Sequence, residues 1–303
     1  MLQTMPPAKR LCIDFSKTGG TAFGPDKDVP IRAHGRRGIG TIPTVRGETK
    51  VKGTEKLTLY ELAAADRAVR FSPHCWKIRM ALAHKGLEAE TIPWLFTEKE
   101  LIAFSGSRTV PVLIHDQSAL GDRVAGNQTV SGEVVSDSWR IALYLEERFP
   151  ARISLFGGVN SIPLAEFINT WADTALLPSL AQIILMDIHT HIHERDRDYF
   201  RSSREKAFGK SLEDVVADKP AHLAALKQVL TPVRRTLRNR EFISGAAPAY
   251  ADYCVFGMFM WVRCISAIEP LESDDPIFAW RDRMLDAFGG LARNAAVADR
   301  GRR

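Results

Sequence analysis

Apolar positions change period repeatedly between residues 57 and 150, and after Pro150 they keep a single one. Leu57-Thr58-Leu59-Tyr60-Glu61-Leu62 is rich in β-forming residues and predicts a strand. Ser72-Pro73 predicts the start of a helix, because Ser is a good cap and Pro suits the first helical position. Trp76, Ile78, Ala81 and Leu82 carry that helix to a stop at Lys85-Gly86. Ala89 to Trp94 predicts a second strand, 98–104 a short helix or turn, 110–114 a third strand and Val134-Val135 a fourth. Ser138 to Arg148 is amphipathic through Trp139, Ile141, Ala142 and Leu145, and Phe149-Pro150 ends it. The order β-α-β-(α)-β-β-α predicts a small α/β domain with helices packed on a sheet.

Beyond Pro150 the strand signals vanish. Helical spacing of apolar residues covers 162–192, 207–216, 221–239, 250–268 and 276–288, which predicts an all-helical second domain. The opening 56 residues differ from both halves. They are rich in Gly, Pro, Thr and basic residues with no sustained apolar period, and they predict a disordered extension. The expected organisation is therefore a basic extension over 1–56, an α/β domain over 57–150, an all-α domain over 151–295 and a basic tail over 296–303.

Charge changes this picture only by its location. The extension holds eleven basic and five acidic residues, an excess larger than the whole chain's +5, so the body is close to neutral. A nucleic-acid reader would carry basic charge on a folded face, and that class is set aside. No apolar run approaches the roughly 20 residues needed to cross a bilayer. The longest, Val255 to Ile268, is interrupted by Gly257 and Arg263. Met1 to Arg10 carries Pro6, Pro7, Lys9 and Arg10 with no apolar stretch after it, which predicts no secretory signal. Asp14, Asp26 and Asp28 argue against a transit peptide. Cys12, Cys75, Cys254 and Cys264 form no C-x-x-C pair, which fits a reducing, cytoplasmic setting without a disulfide framework.

Three short segments hold candidate chemistry. Ser72-Pro73-His74-Cys75-Trp76 places a hydroxyl at a helix N-terminus, where free N–H groups and the dipole stabilise an anion. Such a hydroxyl can donate to a bound thiolate and lower its pKa; taken alone, Ser72 reads first as an ordinary cap. Val110-Pro111 opens a strand and reads by spacing as an edge, although a cis bond there would turn the Val110 N–H and C=O toward a peptide-like ligand. Asp137-Ser138 opens the next helix and offers N–H groups to a carboxylate, or is a plain cap. His189 and His193 share a helix face at i, i+4, but without a third ligand they make a weak metal case, and no metal is expected.

The three segments in this order resemble the N-terminal domain of glutathione transferases. Asp137-Ser138-Trp139-Arg140-Ile141-Ala142-Leu143-Tyr144-Leu145 is similar to that superfamily's Glu-Ser-x-x-Ile-x-x-Tyr-Leu helix, with Asp in place of Glu. In the helical half, Phe242-Ile243-Ser244-Gly245 and Ala251-Asp252 resemble its folding motif, with Ala249 where a capping Ser or Thr is usual. The resemblance spans roughly 57–288. It implies a thioredoxin-like N-terminal domain, an all-α C-terminal domain, glutathione as co-substrate and a homodimer. The segment 71–86, with Ser136 to Trp139 and Pro248 to Tyr253, looks most like bacterial beta-etherases and their fungal relatives; the zeta-class isomerases compete.

By the resemblance, Ser72 faces the glutathione sulfur, Val110 pairs with the cysteinyl backbone, Asp137 and Ser138 hold the γ-glutamyl end, and Lys99 reaches the glycyl carboxylate. Pro73, Trp76 and Pro111 complete the implied glutathione site. His74, Met186, Tyr253 and Trp261 are the expected pocket for an electrophilic or aromatic small-molecule co-substrate. Omega-class transferases and glutaredoxins place a nucleophilic Cys where this chain has Ser72, so a glutaredoxin-like reductase is disfavoured and Cys75 is expected in the core. The stretch 116–133 is longer than a tight hairpin and is a candidate lid.

Overall fold

The computed structural model describes residues 56–116, 122–125 and 128–299. The predicted extension, apart from Lys56, and the last residues of the predicted tail lie outside them.

The first half runs β1 (Lys56–Leu62), α1 (Pro73–His84), β2 (Ala89–Trp94), a 3₁₀ turn (Lys99–Ser105), β3 (Val112–Asp116), β4 (Asp122–Ala125), β5 (Gln128–Ser131), β6 (Glu133–Ser136) and α2 (Ser138–Arg148). Four strands form one sheet in the order β2-β1-β3-β6. β1 is parallel to β2 and antiparallel to β3, and β3 is antiparallel to β6. The β1-α1-β2 crossover accounts for the parallel pair, since such strands need a connecting element between them. Leu57 and Leu59 are buried on β1, while the alternate residues Thr58 and Tyr60 are more exposed. The 116–133 stretch contains a separate two-stranded hairpin, β4 with β5, beside the 3₁₀ turn, where the sequence predicted only a long connection.

The second half is helical: α3 (Ile162–Trp171), a π turn (Ala172–Leu176), α4 (Leu177–His191), α5 (Glu194–Phe208), α6 (Leu212–Val216), α7 (Lys219–Val229), α8 (Thr231–Leu237), α9 (Tyr250–Ile265) and α10 (Pro276–Gly290). The helix predicted over 207–216 is instead the end of α5, a break and α6, because Gly209 takes a left-handed φ of 68° and stops α5. Most of α5 escaped the sequence reading. Its only buried residues are Asp196 and Phe200, too few to print an apolar period.

Helix α9 is the centre of the molecule. Nearly all its side chains are buried, and it packs along α1. Gly257 permits this approach: a Cβ there would lie 2.4 Å from the Pro73 carbonyl oxygen at the start of α1. Ala249 has no side-chain acceptor with which to cap α9, so Asp252 does the work from inside the helix. Its carboxylate accepts from the N–H groups of Ile243 (2.8 Å), Ser244 (3.1 Å) and Ala249 (3.2 Å) and from the Trp280 indole (2.9 Å). No helix among the described residues is long and apolar enough to cross a membrane.

Candidate functional site

Ser72 caps α1 with extended backbone (φ −62°, ψ 126°), and its Oγ accepts from the Cys75 N–H at 3.3 Å. That bond uses an oxygen lone pair and leaves the hydroxyl proton to donate. The residue is 4% exposed, so an anion reaching it would be largely out of water. Cys75, one turn on, is fully buried, and burial together with the nearby Glu61 charge pushes its thiol up to about 12. It is an inert core thiol at neutral pH.

The Val110-Pro111 peptide bond is cis. Among the described residues neither the N–H nor the C=O of Val110 has a hydrogen-bond partner. The Pro111 carbonyl accepts from the Asp137 N–H at 3.3 Å, which ties this turn to the start of α2. Asp137 takes a positive φ of 81°, a region that a residue with a Cβ occupies at a cost of about 1–3 kcal/mol. Its carboxylate accepts from the N–H groups of Trp139 (2.9 Å) and Arg140 (3.0 Å). The N–H of Ser138 then has no hydrogen-bond partner among the described residues, while its hydroxyl interacts with that of Tyr250. The Ser138 carbonyl accepts from the buried Tyr250 hydroxyl at 2.9 Å, so α9 fixes the α2 N-terminus as well as the α1 N-terminus.

Between the two helix starts lies a charged network that spacing did not disclose. Lys77, fully buried on α1, donates to Asn169 Oδ1 (2.8 Å) and Asp173 Oδ1 (2.7 Å) across the two halves. Asp173 sits in the π turn, a helical irregularity frequent at functional sites. His74 Nδ1 lies 3.8 Å from the same carboxylate and also feels Asp137. Burial lowers the His74 pKa against the pull of Asp173. On the other side of α1, Glu61 is buried 3.7 Å from Arg70 Nε and 3.6 Å from Arg79 Nε, and burial raises its pKa despite both cations.

Val110, Pro111, Asp137 and Ser138 thus adjoin at the starts of β3 and α2, with His74 at the start of α1 within electrostatic reach of Asp137 and Ser72 capping that same helix. Other sequence-predicted residues lie elsewhere. Trp76 is fully buried and its indole N–H donates to the Arg70 carbonyl at 2.8 Å, so it packs the core and has no face for glutathione. Tyr253 is fully buried, with its hydroxyl 2.5 Å from His84 Nδ1, and is a packing residue of the α1–α9 contact. Trp261 is also core, at 9% exposure. Pro73 is buried against Gly257. Met186 is half-buried on α4. Lys99 donates to the Arg108 carbonyl at 2.8 Å with its ammonium 4.6 Å from the Trp94 ring centre. His189 packs against Phe200, and His193 caps α5.

Two family models match this chain: glutathione S-transferase, N-terminal domain, over residues 71–148, and glutathione S-transferase, C-terminal domain, over residues 163–286. Together they account for about two thirds of the sequence. The chain belongs to the glutathione S-transferase family. The match over 71–148 begins at the Ser72 turn and ends with α2, so it encloses the linked segments described above. Solved structures of the family share the fold. A glutathione S-transferase of Ceriporiopsis subvermispora in complex with glutathione is 21% identical, with a TM-score of 0.65 over 77% of this chain and 96% of that one. Glutathione transferase GSTFuA3 from Phanerochaete chrysosporium is 24% identical, with a TM-score of 0.61 over 78% and 93%. Beta-etherase LigF from Sphingobium sp. strain SYK-6 is 16% identical, with a TM-score of 0.53 over 78% and 98%.

Proposed function

We propose that the protein binds reduced glutathione across Val110 and uses it as a thiolate nucleophile. The cysteinyl backbone pairs with the open N–H and C=O of Val110. The γ-glutamyl carboxylate takes the open N–H of Ser138 at the positive end of α2, beside the Ser138 hydroxyl, and the sulfur faces the Ser72 hydroxyl. The observation that carries this reading is the set of unpartnered backbone groups: among the described residues the N–H and C=O of Val110 and the N–H of Ser138 have no partner, while the next three amides of α2 are taken by Asp137. The likeness to a glutathione-bound transferase supports it.

In the reaction the thiolate sulfur forms a bond to an electrophilic carbon and the leaving group departs with the bonding electrons. For a β-aryl ether the C–O bond breaks and a phenolate leaves, a substrate class supported by the likeness to a beta-etherase. The exposed edge of His74 and the half-buried Met186 are the candidate contacts for an aromatic co-substrate. Kinetics with an activated chloroarene and with a β-aryl ether test the proposal. Consumption of one thiol per chloride or phenol released is the expected result. Turnover without thiol loss would make the protein an isomerase, and glutathione affinity without turnover a binding module.

The active protein is a homodimer. Leu164 and Phe167 share one face of α3 yet are 68% and 69% exposed, and Ile153 and Val159 before them are 72% and 75% exposed. Sedimentation should give a dimer that Phe167→Glu dissociates; a wild-type monomer at micromolar concentration would contradict this.

A further inference from the structure

The charged network between the two helix starts contains a pair whose chemistry the proposed reaction leaves unused. His74 and Asp173 meet across the two halves of the molecule, Nδ1 to Oδ1 at 3.8 Å, and their side chains are 34% and 30% exposed. Lys77, which is fully buried, donates to the same Asp173 oxygen at 2.7 Å. The Asn169 amide donates to the other oxygen at 3.3 Å. The carboxylate is thereby held on both oxygens while it and the imidazole stay open to an incoming molecule.

A carboxylate at Nδ1 favours the tautomer with its hydrogen there and leaves the Nε2 lone pair as an acceptor. Burial and Lys77 lower the imidazole pKa against the pull of Asp173 and Asp137, so the ring is neutral at pH 7. From α9, Tyr250 lies near both carboxylates, and burial keeps its hydroxyl protonated. His74 is the second residue of α1, two after the Ser72 cap, with α-carbons roughly 5–6 Å apart by helical geometry. Residues two apart do not share a helix face. A sulfur held at the mouth of α1 by the Ser72 hydroxyl would therefore have the imidazole on its other flank.

We infer that His74, positioned by Asp173, carries the proton of the reaction from the entering thiol to the departing oxygen of an aryl-ether co-substrate. The inference rests on the proposed glutathione site and adds to it a proton carrier. The S–H bond breaks and its proton passes to Nε2. The sulfur then bonds to carbon as the C–O bond breaks, the bonding pair leaves on oxygen, and Nε2 returns the proton there. A thioether and a phenol are the products, His74 is neutral again, and no further reactant is needed. A phenol that ionises near about 10 leaves poorly as its anion at neutral pH, whereas chloride needs no proton.

Kinetics of wild-type and His74→Gln protein with three co-substrates test it: an activated chloroarene, a β-aryl ether that releases 4-nitrophenol and one that releases unsubstituted phenol. Loss of the proton donor predicts about 100-fold slower release of unsubstituted phenol and less than about threefold change for the chloroarene, with the nitrophenyl ether between them. The chloroarene rate also reports whether the variant is folded. A pH profile of the wild-type protein needs no variant. Release of unsubstituted phenol should fall as pH rises past the ionisation that thiol and imidazole share, because the pair then has no proton to give, and chloroarene conjugation should show no such alkaline fall. Equal losses for all three co-substrates, no loss for any, or matching alkaline limbs for ether and chloroarene would overturn the role of His74. So would a wild-type protein that conjugates the chloroarene and cleaves neither ether. Wild-type protein that turns over none of the three would instead remove the thiolate reading itself.

Discussion

Asp252→Ala is expected to cost roughly 3–6 kcal/mol of folding stability, enough to leave little soluble protein. The carboxylate is fully buried and satisfies three backbone N–H groups and the Trp280 indole. Each buried donor left without an acceptor costs about 1–3 kcal/mol, and a single water in the vacated space, with its two lone pairs, could not accept from all four donors. The loss reaches function because α9 also positions both helix starts of the site, through Gly257 beneath Pro73 and Tyr250 beneath Ser138. Asp252→Asn keeps one acceptor oxygen and should lose about half as much. Urea denaturation at unchanged slope measures both. A midpoint shift worth less than 1 kcal/mol for the alanine variant would show that the hub is not needed.

Ser72→Ala is expected to lower kcat/KM for conjugation by about 10- to 100-fold, the usual consequence of removing one donor from a buried, developing or resident anion. The same substitution removes an N-cap worth about 1 kcal/mol, so a drop in activity could come from a frayed helix start. Ser72→Gly separates the two causes, since glycine at a cap costs only a few tenths of a kcal/mol while also lacking the hydroxyl. Equal activity losses in the two variants, with the glycine protein close to wild-type stability, assign the effect to the hydroxyl. Retention of activity by the glycine variant would assign it to the cap.

The elements that position the site were legible because each has a local signal. Ser72-Pro73 and Asp137-Ser138 announce helix starts by capping chemistry, and the alternation around β1 and β3 places them on one sheet. The second half of the site left no such trace. Lys77, Asn169 and Asp173 meet across the halves of the molecule with more than 90 residues between them, and a buried ion pair has no periodic signature. Trp76 and Tyr253 were misplaced for the opposite reason. Both stand in motif-like segments, yet α1 packs along α9 and against α2 and buries most of its residues. Gly257 looked like an interruption of an apolar run; its actual role, the close approach of α9 to Pro73, depends on a neighbour the sequence does not name.

Ultraviolet absorbance of the thiolate, followed as a pH titration of glutathione bound to the wild-type protein, tests the Ser72 assignment most directly. A free thiol titrates near about 8.5, and stabilisation of the anion by a donor and a helix N-terminus lowers that value. The bound thiol should therefore ionise at or below about pH 7, with activity falling as pH drops through that value, and Ser72→Ala should move the inflection up by about one to two units. Bound glutathione that titrates like the free thiol would contradict the account.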